Sequence, residues 1–121
     1  MRGISVKTLL LGLDFVLMMS ALCLILVYVP TEAGMKIVQR IFYIHVPVCW
    51  VAFLAFFFVF LGSIVYLWRR DDKWDALAYS SAEVGLVFTT LALITGSLWA
   101  KPAWGVWWTW DARLTSTLVL W

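Results

Sequence analysis

Apolar residues fall into long runs separated by short polar breaks. Thr8–Val29 is apolar apart from Asp14, Ile41–Trp68 carries no formal charge apart from His45 if protonated, and a third run extends from Ser80 to about Ala100. A bilayer core of about 30 Å takes roughly 20 helical residues at about 1.5 Å each. The pattern therefore predicts complete spans over about 8–29, 47–68 and 80–100. Ala112–Trp121 opens another apolar run, the start of a fourth span (about 113–121) that the chain end leaves incomplete. The expected fold is all-α, a polytopic transmembrane helical bundle forming a single membrane domain over 1–121.

The breaks carry their own signals. Pro30-Thr31-Glu32-Ala33-Gly34, followed by Lys36 and Arg40, reads as a wet loop. Pro47 suits the first turn of a helix, where its missing amide hydrogen costs nothing. That reading leaves His45 just before the second span, at the interface. Arg69–Asp75 reads as a charged turn. Ser80-Ser81-Ala82-Glu83 has capping-box spacing, with Glu83 able to reach back to the Ser80 amide and open the third span. Lys101-Pro102 closes it. Arg2 and Lys7 before a long apolar run could mark a signal peptide. The run is long for a signal core, and Leu22 before Cys23 spoils a lipoprotein-type cleavage site, so an uncleaved first span is expected.

Composition narrows the classes. Hydrophobic residues make up 64% and charged ones 13% of the 121, against about half and a quarter in soluble domains. A water-soluble fold is excluded on that ground. The net charge of +2 is small, and its residues flank the apolar runs, which fits membrane orientation rather than nucleic-acid binding. Cys23 and Cys49 lie in or beside apolar runs and read as small buried hydrophobes.

Parity puts the first loop and the segment after the third span on one side of the membrane, so His45 and residues 101–113 face the same compartment. Arg2, Lys7, Arg69, Arg70 and Lys73 fall on the other side, against Lys36, Arg40, Lys101 and Arg113 on this one. The bias is small and favours an internal N-terminus.

Five of the nine tryptophans, Trp99, Trp104, Trp107, Trp108 and Trp110, fall within twelve residues. An interfacial belt places fewer rings at each helix end. If 104–111 is helical, Trp104, Trp107, Trp108 and Asp111 stand at i, i+3, i+4 and i+7, three indoles and a carboxylate on one stripe of an external interfacial helix. Such a platform suits a flat amphipathic ligand, with indole N–H groups meeting its polar edges. Lys101, Arg113 and Arg40 share that side and could pair with ligand carboxylates, or simply mark span edges. His45, the only histidine, is either a hydrogen-bonded structural residue or an axial ligand for haem iron. Zinc-ligand spacing, phosphate-binding glycine loops and hydrolytic Ser or Cys sets do not appear. Asp14 and Glu83 receive no chemical role.

The run Gly96-Ser97-Leu98-Trp99-Ala100-Lys101-Pro102-Ala103-Trp104-Gly105-Val106-Trp107-Trp108-Thr109-Trp110-Asp111-Ala112-Arg113-Leu114-Thr115-Ser116 resembles the WWD signature of haem-handling membrane proteins. Its Asp-Ala-Arg-Leu-Thr ending is similar to the CcmC family, haem exporter protein C of cytochrome c maturation. The synthetase-type CcmF and CcsA proteins tend to have Pro where Ala112 stands. Tyr43-Ile44-His45-Val46-Pro47 is similar to the CcmC segment carrying the first periplasmic axial histidine, and Val87–Leu93 leading into Gly96-Ser97 also fits.

The resemblance implies six spans with both ends cytoplasmic, an inner-membrane location and a periplasmic WWD segment. It implies haem b held on Trp104, Trp107, Trp108, Trp110 and Asp111, with Arg113 beside them and His45 as an axial iron ligand. The implied role is non-enzymatic: presenting haem to the chaperone CcmE, alongside the ABC-transporter subunits CcmA and CcmB and the small membrane protein CcmD. The family's second periplasmic histidine lies between its fifth and sixth spans, beyond Trp121, so a fragment of a longer protein is expected. The alternative is a fragment of a CcmF/CcsA-type haem lyase.

Overall fold

A computed structural model describes residues 5–121 apart from Glu32. Arg2 and Glu32, both used in the sequence reading, lie outside the described residues. The chain divides into two units, Met1–Lys36 and Ile37–Trp121. In the first, α1 runs over Val6–Cys23, capped by Ser5, whose hydroxyl accepts the Thr8 amide at 3.2 Å. It continues as a π-helical turn over Leu24–Tyr28. Asp14 is exposed on α1.

The second unit is built on two long helices, α2 (Gln39–Arg69, 31 residues) and α3 (Asp72–Trp104, 33 residues), followed by the short α4 (Ala112–Leu120). Val6–Tyr28, α2 and α3 are each long and apolar enough to cross a membrane. The all-α polytopic architecture is thus as expected, with three spanning helices and a shorter fourth.

Helix boundaries depart from the sequence reading in four places. The second helix begins eight residues before Pro47, which lies inside it, so His45 is a helical residue rather than a loop residue. Phe42 packs on Trp99 of α3 with ring centroids 5.9 Å apart. That contact carries the helix through a proline that spanning helices tolerate. The third helix begins at Asp72, because the Asp71 carboxylate accepts the Lys73 amide at 3.0 Å and Asp72 and Asp75 favour the positive helix start. Ser80–Glu83 is consequently mid-helix and caps nothing, and the charged turn shrinks to Arg70 and Asp71, with Arg70 left-handed at φ 53°.

Lys101-Pro102 does not close α3, which runs on to Trp104. The fourth departure is the expected interfacial helix over 104–111. Gly105 adopts φ 80°, its amide bonds the Lys101 carbonyl at 2.9 Å, and residues 105–111 are non-helical. This left-handed glycine termination ends the helix, so the indole stripe at helical spacing does not form.

Small residues let α2 and α3 approach closely. Ala52, Ala55 and Gly62 on α2 and Ala78, Gly85, Thr89, Ala92 and Ala100 on α3 are the buried positions. Small residues at such interfaces are how spanning helices gain dispersion contacts where lipid offers no hydrophobic drive. Thr89 is 2% exposed and satisfies its hydroxyl on the Gly85 carbonyl at 2.7 Å. The large apolar side chains point outward, as in a protein whose solvent is lipid.

Candidate haem site between the ends of the long helices

Two antiparallel helices joined by two residues bring the start of α2 beside the end of α3. His45 therefore stands next to Thr95 and Gly96. A Cβ at Gly96 would lie 3.0 Å from Cε1 of His45, so the glycine makes room for the imidazole edge. Nδ1 of His45 is 2.9 Å from the Thr95 hydroxyl oxygen. One turn along α2, the Cys49 sulfur is 3.5 Å from Nε2. Both cysteines are free thiols.

The tryptophans are ordered by the end of α3 and the loop after it. Trp99 and Trp104 meet edge to face with centroids 5.0 Å apart. Lys101 donates from Nζ to the Gly105 carbonyl at 3.0 Å and lies 5.9 Å from the Trp107 ring, bracing the left-handed turn. Trp108 and Trp110 make a second edge-to-face pair at 5.8 Å. The Arg113 guanidinium covers the Trp104 ring at 5.6 Å, within cation–π range.

These pieces enclose a cavity of about 360 Å³, whose lining includes His45, Trp99, Trp104, Trp107, Trp108 and Arg113. Phe53, Phe56 and Leu93 give it an apolar floor. The volume is at the lower end of small-molecule sites. Two buried indole N–H groups, on Trp99 and Trp108, have no acceptor. Buried donors are rarely left so, and here both belong to residues of one cavity.

Of the residues singled out from sequence, His45, Trp104, Trp107, Trp108 and Arg113 share this cavity. Trp110 does not line it and is 76% exposed. Asp111 does not line it either. Its carboxylate caps α4, accepting the Leu114 amide at 2.9 Å and the Thr109 hydroxyl at 2.7 Å, with Arg113 at 3.8 Å. The Leu114 amide first, then the Thr109 hydroxyl, with help from Arg113, hold this carboxyl below its ordinary value. Arg40 and Lys101, the other two cations on that side, do not line the cavity.

Sequence reasoning passed over Phe42, Thr95 and Gly96. The spacing showed only that Thr95 and Gly96 stand one turn before Trp99, at i−4 and i−3. Among the described residues no group of three or more His, Cys, Asp or Glu side chains could hold a free metal ion.

Comparison with known proteins identifies the family. The family described as Heme exporter protein C (CcmC) matches residues 3–121. A ccmC-like mitochondrial protein of cytochrome c biosynthesis from Marchantia polymorpha is 34% identical over 92% of this chain and 49% of its own length. Heme exporter protein C of Rhodobacter capsulatus is 38% identical over 77% of this chain and 38% of its own. That of Escherichia coli K12 is 47% identical over 67% of this chain and 33% of its own. The chain spans about half or less of the length of these curated relatives. With the family matched along nearly its whole sequence, this chain belongs to the Heme exporter protein C family, CcmC.

Proposed function

We propose that this chain holds haem b in the cavity between the start of α2 and the end of α3 and presents it to the haem chaperone CcmE. The observation that carries the reading is the convergence of the only histidine with five tryptophans and an arginine on one apolar cavity. The residues fit that cargo. Nε2 of His45 is the nitrogen available to the iron. The indole faces of Trp104, Trp107 and Trp108 suit the macrocycle, and the unpaired N–H groups of Trp99 and Trp108 suit its polar edge. Arg113 is the cation for a carboxylate. A cavity of about 360 Å³ would grip only part of a macrocycle, which suits holding and release.

Asp111 serves from behind, fixing the start of α4 and thereby Arg113, while Trp110 stands outside as a ring that the approaching chaperone could meet. The role is a carrier's, with no thioether bond made on this protein. We assign the site to the periplasmic face of the inner membrane, with the N-terminus cytoplasmic, supported by the small excess of basic residues on the opposite side. CcmA, CcmB and CcmD are the expected membrane partners. The test is the haem absorbance spectrum of the natural full-length protein in mild detergent, with and without His45→Ala. Bound haem with a spectrum altered by His45→Ala supports the reading. A folded protein that takes up no haem, even alongside CcmE, sinks it and returns the tryptophans to a membrane belt.

A further inference from the structure

Thr95 does not line the cavity, yet it holds the ring that does. Its hydroxyl has one proton to give, and the Leu91 carbonyl, four residues back, accepts it at 2.7 Å. The Ala92 carbonyl at 3.4 Å is a weaker alternative. A carbonyl can only accept, so the Thr95 oxygen is left as an acceptor toward His45. With the hydroxyl proton on the Leu91 carbonyl, Nδ1, at 2.9 Å, carries the hydrogen and donates it. The same helix contains an unambiguous case of this arrangement. Thr90 donates to the Leu86 carbonyl at 2.8 Å and accepts from Nε1 of Trp121 at 2.7 Å, and an indole nitrogen can only donate.

With Nδ1 protonated, the neutral ring has its lone pair on Nε2. The Cys49 thiol, 3.5 Å away and itself on the cavity wall, is a weak donor to that nitrogen and easily displaced. Gly96 fixes the ring's approach to α3 and Thr95 fixes its rotation. We infer that Thr95 is a positioning residue that sets the tautomer and orientation of His45 so that Nε2 is presented to the ligand. This rests on the haem-holding reading for its purpose, but the geometry of the pair does not depend on that reading. Orienting hydrogen bonds of this kind typically change metal affinity by about 10–100-fold when removed.

Two measurements separate the inference from the haem reading. In the haem-free full-length protein labelled with 15N-histidine, with His45 assigned by its loss in His45→Gln, the ring is expected as the Nδ1–H tautomer. Thr95→Val keeps the shape and removes the acceptor, so the Nε2–H form should grow. Thr95→Ser should restore the wild-type pattern. In parallel, haem titration should show affinity lowered about 10–100-fold in Thr95→Val, with an altered absorbance band, and recovered in Thr95→Ser. A wild-type ring in the Nε2–H form, or a tautomer and spectrum indifferent to Thr95→Val, overturns the inference. If the tautomer follows Thr95 while wild type binds no haem, the positioning stands and the haem reading is what fails.

Discussion

Substituting Gly96 by alanine perturbs the imidazole without touching any residue of the aromatic wall. The added Cβ would lie 3.0 Å from Cε1 of His45 and 3.7 Å from both ring nitrogens. Carbon atoms rest at roughly 3.5–4.0 Å, so the ring must retreat from α3 by about 0.5 Å. Thr95 is on that same helix. The 2.9 Å bond to Nδ1 would stretch to about 3.4 Å, outside the usual range of about 2.7–3.2 Å. Stability should change little, because overpacking costs about 1–3 kcal/mol and the helix gains about 1 kcal/mol from Ala over Gly. Affinity should change much more, by the roughly 10–100-fold that follows loss of a ligand's orienting bond. Haem titration by absorbance, with thermal unfolding followed by circular dichroism, separates the two effects. Gly12→Ala on α1, whose Cβ would meet nothing within 4 Å, is the control for a generic Gly-to-Ala change. Wild-type affinity and spectrum in a well-folded Gly96→Ala protein would refute the packing of His45 against Gly96.

Three further outcomes follow from the same geometry. The Asp111 carboxyl is held low, so the order it gives the loop is present above its unfolded value of about 3.9 and is lost as pH falls through the lower folded value. Tryptophan fluorescence should therefore stay flat between about pH 5 and 8 and shift only below about pH 4. Asp111→Asn, which retains a capping side chain, should abolish that acid step, and a step that survives it would assign the transition elsewhere. Arg113→Lys keeps the charge but loses the guanidinium that lies 5.6 Å from the Trp104 ring centre. A loss of about 0.5–1 kcal/mol predicts roughly two- to fivefold weaker haem binding, and unchanged binding would remove the Arg113–Trp104 contact from the site's contribution. Gly62→Val should loosen the α2–α3 pair, since a Cβ there meets the Trp74 carbonyl oxygen at 3.1 Å and the Ala78 amide at 3.3 Å. Backbone atoms cannot rotate aside, so the cost should be about 1–3 kcal/mol in thermal unfolding; wild-type stability would contradict the close approach.

The spanning helices were legible because lipid demands long apolar runs, and parity alone brought His45 and the tryptophan cluster to one side. Helix ends were not legible, for reasons that differ by residue. Pro47 signals a first turn, but its effect was outweighed by Phe42 packing on Trp99, a contact 57 residues distant in sequence that no local pattern contains. Ser80–Glu83 carries capping-box spacing, yet Asp71 with Asp72 and Asp75 supplies a stronger start, its cap nine residues before Ser80. The stripe of Trp104, Trp107, Trp108 and Asp111 presumed a helix that Gly105 ends. Three of those indoles still converge on the cavity because the turn folds them back over α3, whereas Asp111 is turned to capping α4. The missed Thr95 could not be weighted from sequence, because a threonine bonded to its own helix reads as ordinary until a donor from another helix is seen against it.

Helix length then relates the cavity to the membrane. At about 1.5 Å per residue, α2 and α3 are about 46 and 50 Å long, against a hydrocarbon core of about 30 Å. The charges from Arg69 to Lys73 hold the connecting turn at one polar boundary. Counting roughly 20 residues back from Trp68 reaches Cys49, and a similar count forward from Leu77 reaches Gly96. Nearly all of the surplus of α2 and the larger part of that of α3 lie at the same end, as Gln39–Val48 and Ser97–Trp104, with Asp72–Ala76 a shorter extension at the other. His45, Trp99, Trp104 and Arg113 belong to that end, while Phe53, Phe56 and Leu93 of the cavity floor fall within the apolar core. On the proposed function, Phe53, Phe56 and Leu93 would meet the apolar part of the cargo. On that reading His45, the residue that would hold the iron, belongs to a helix rather than to a loop, and Arg113 would meet the cargo's carboxylate beside it.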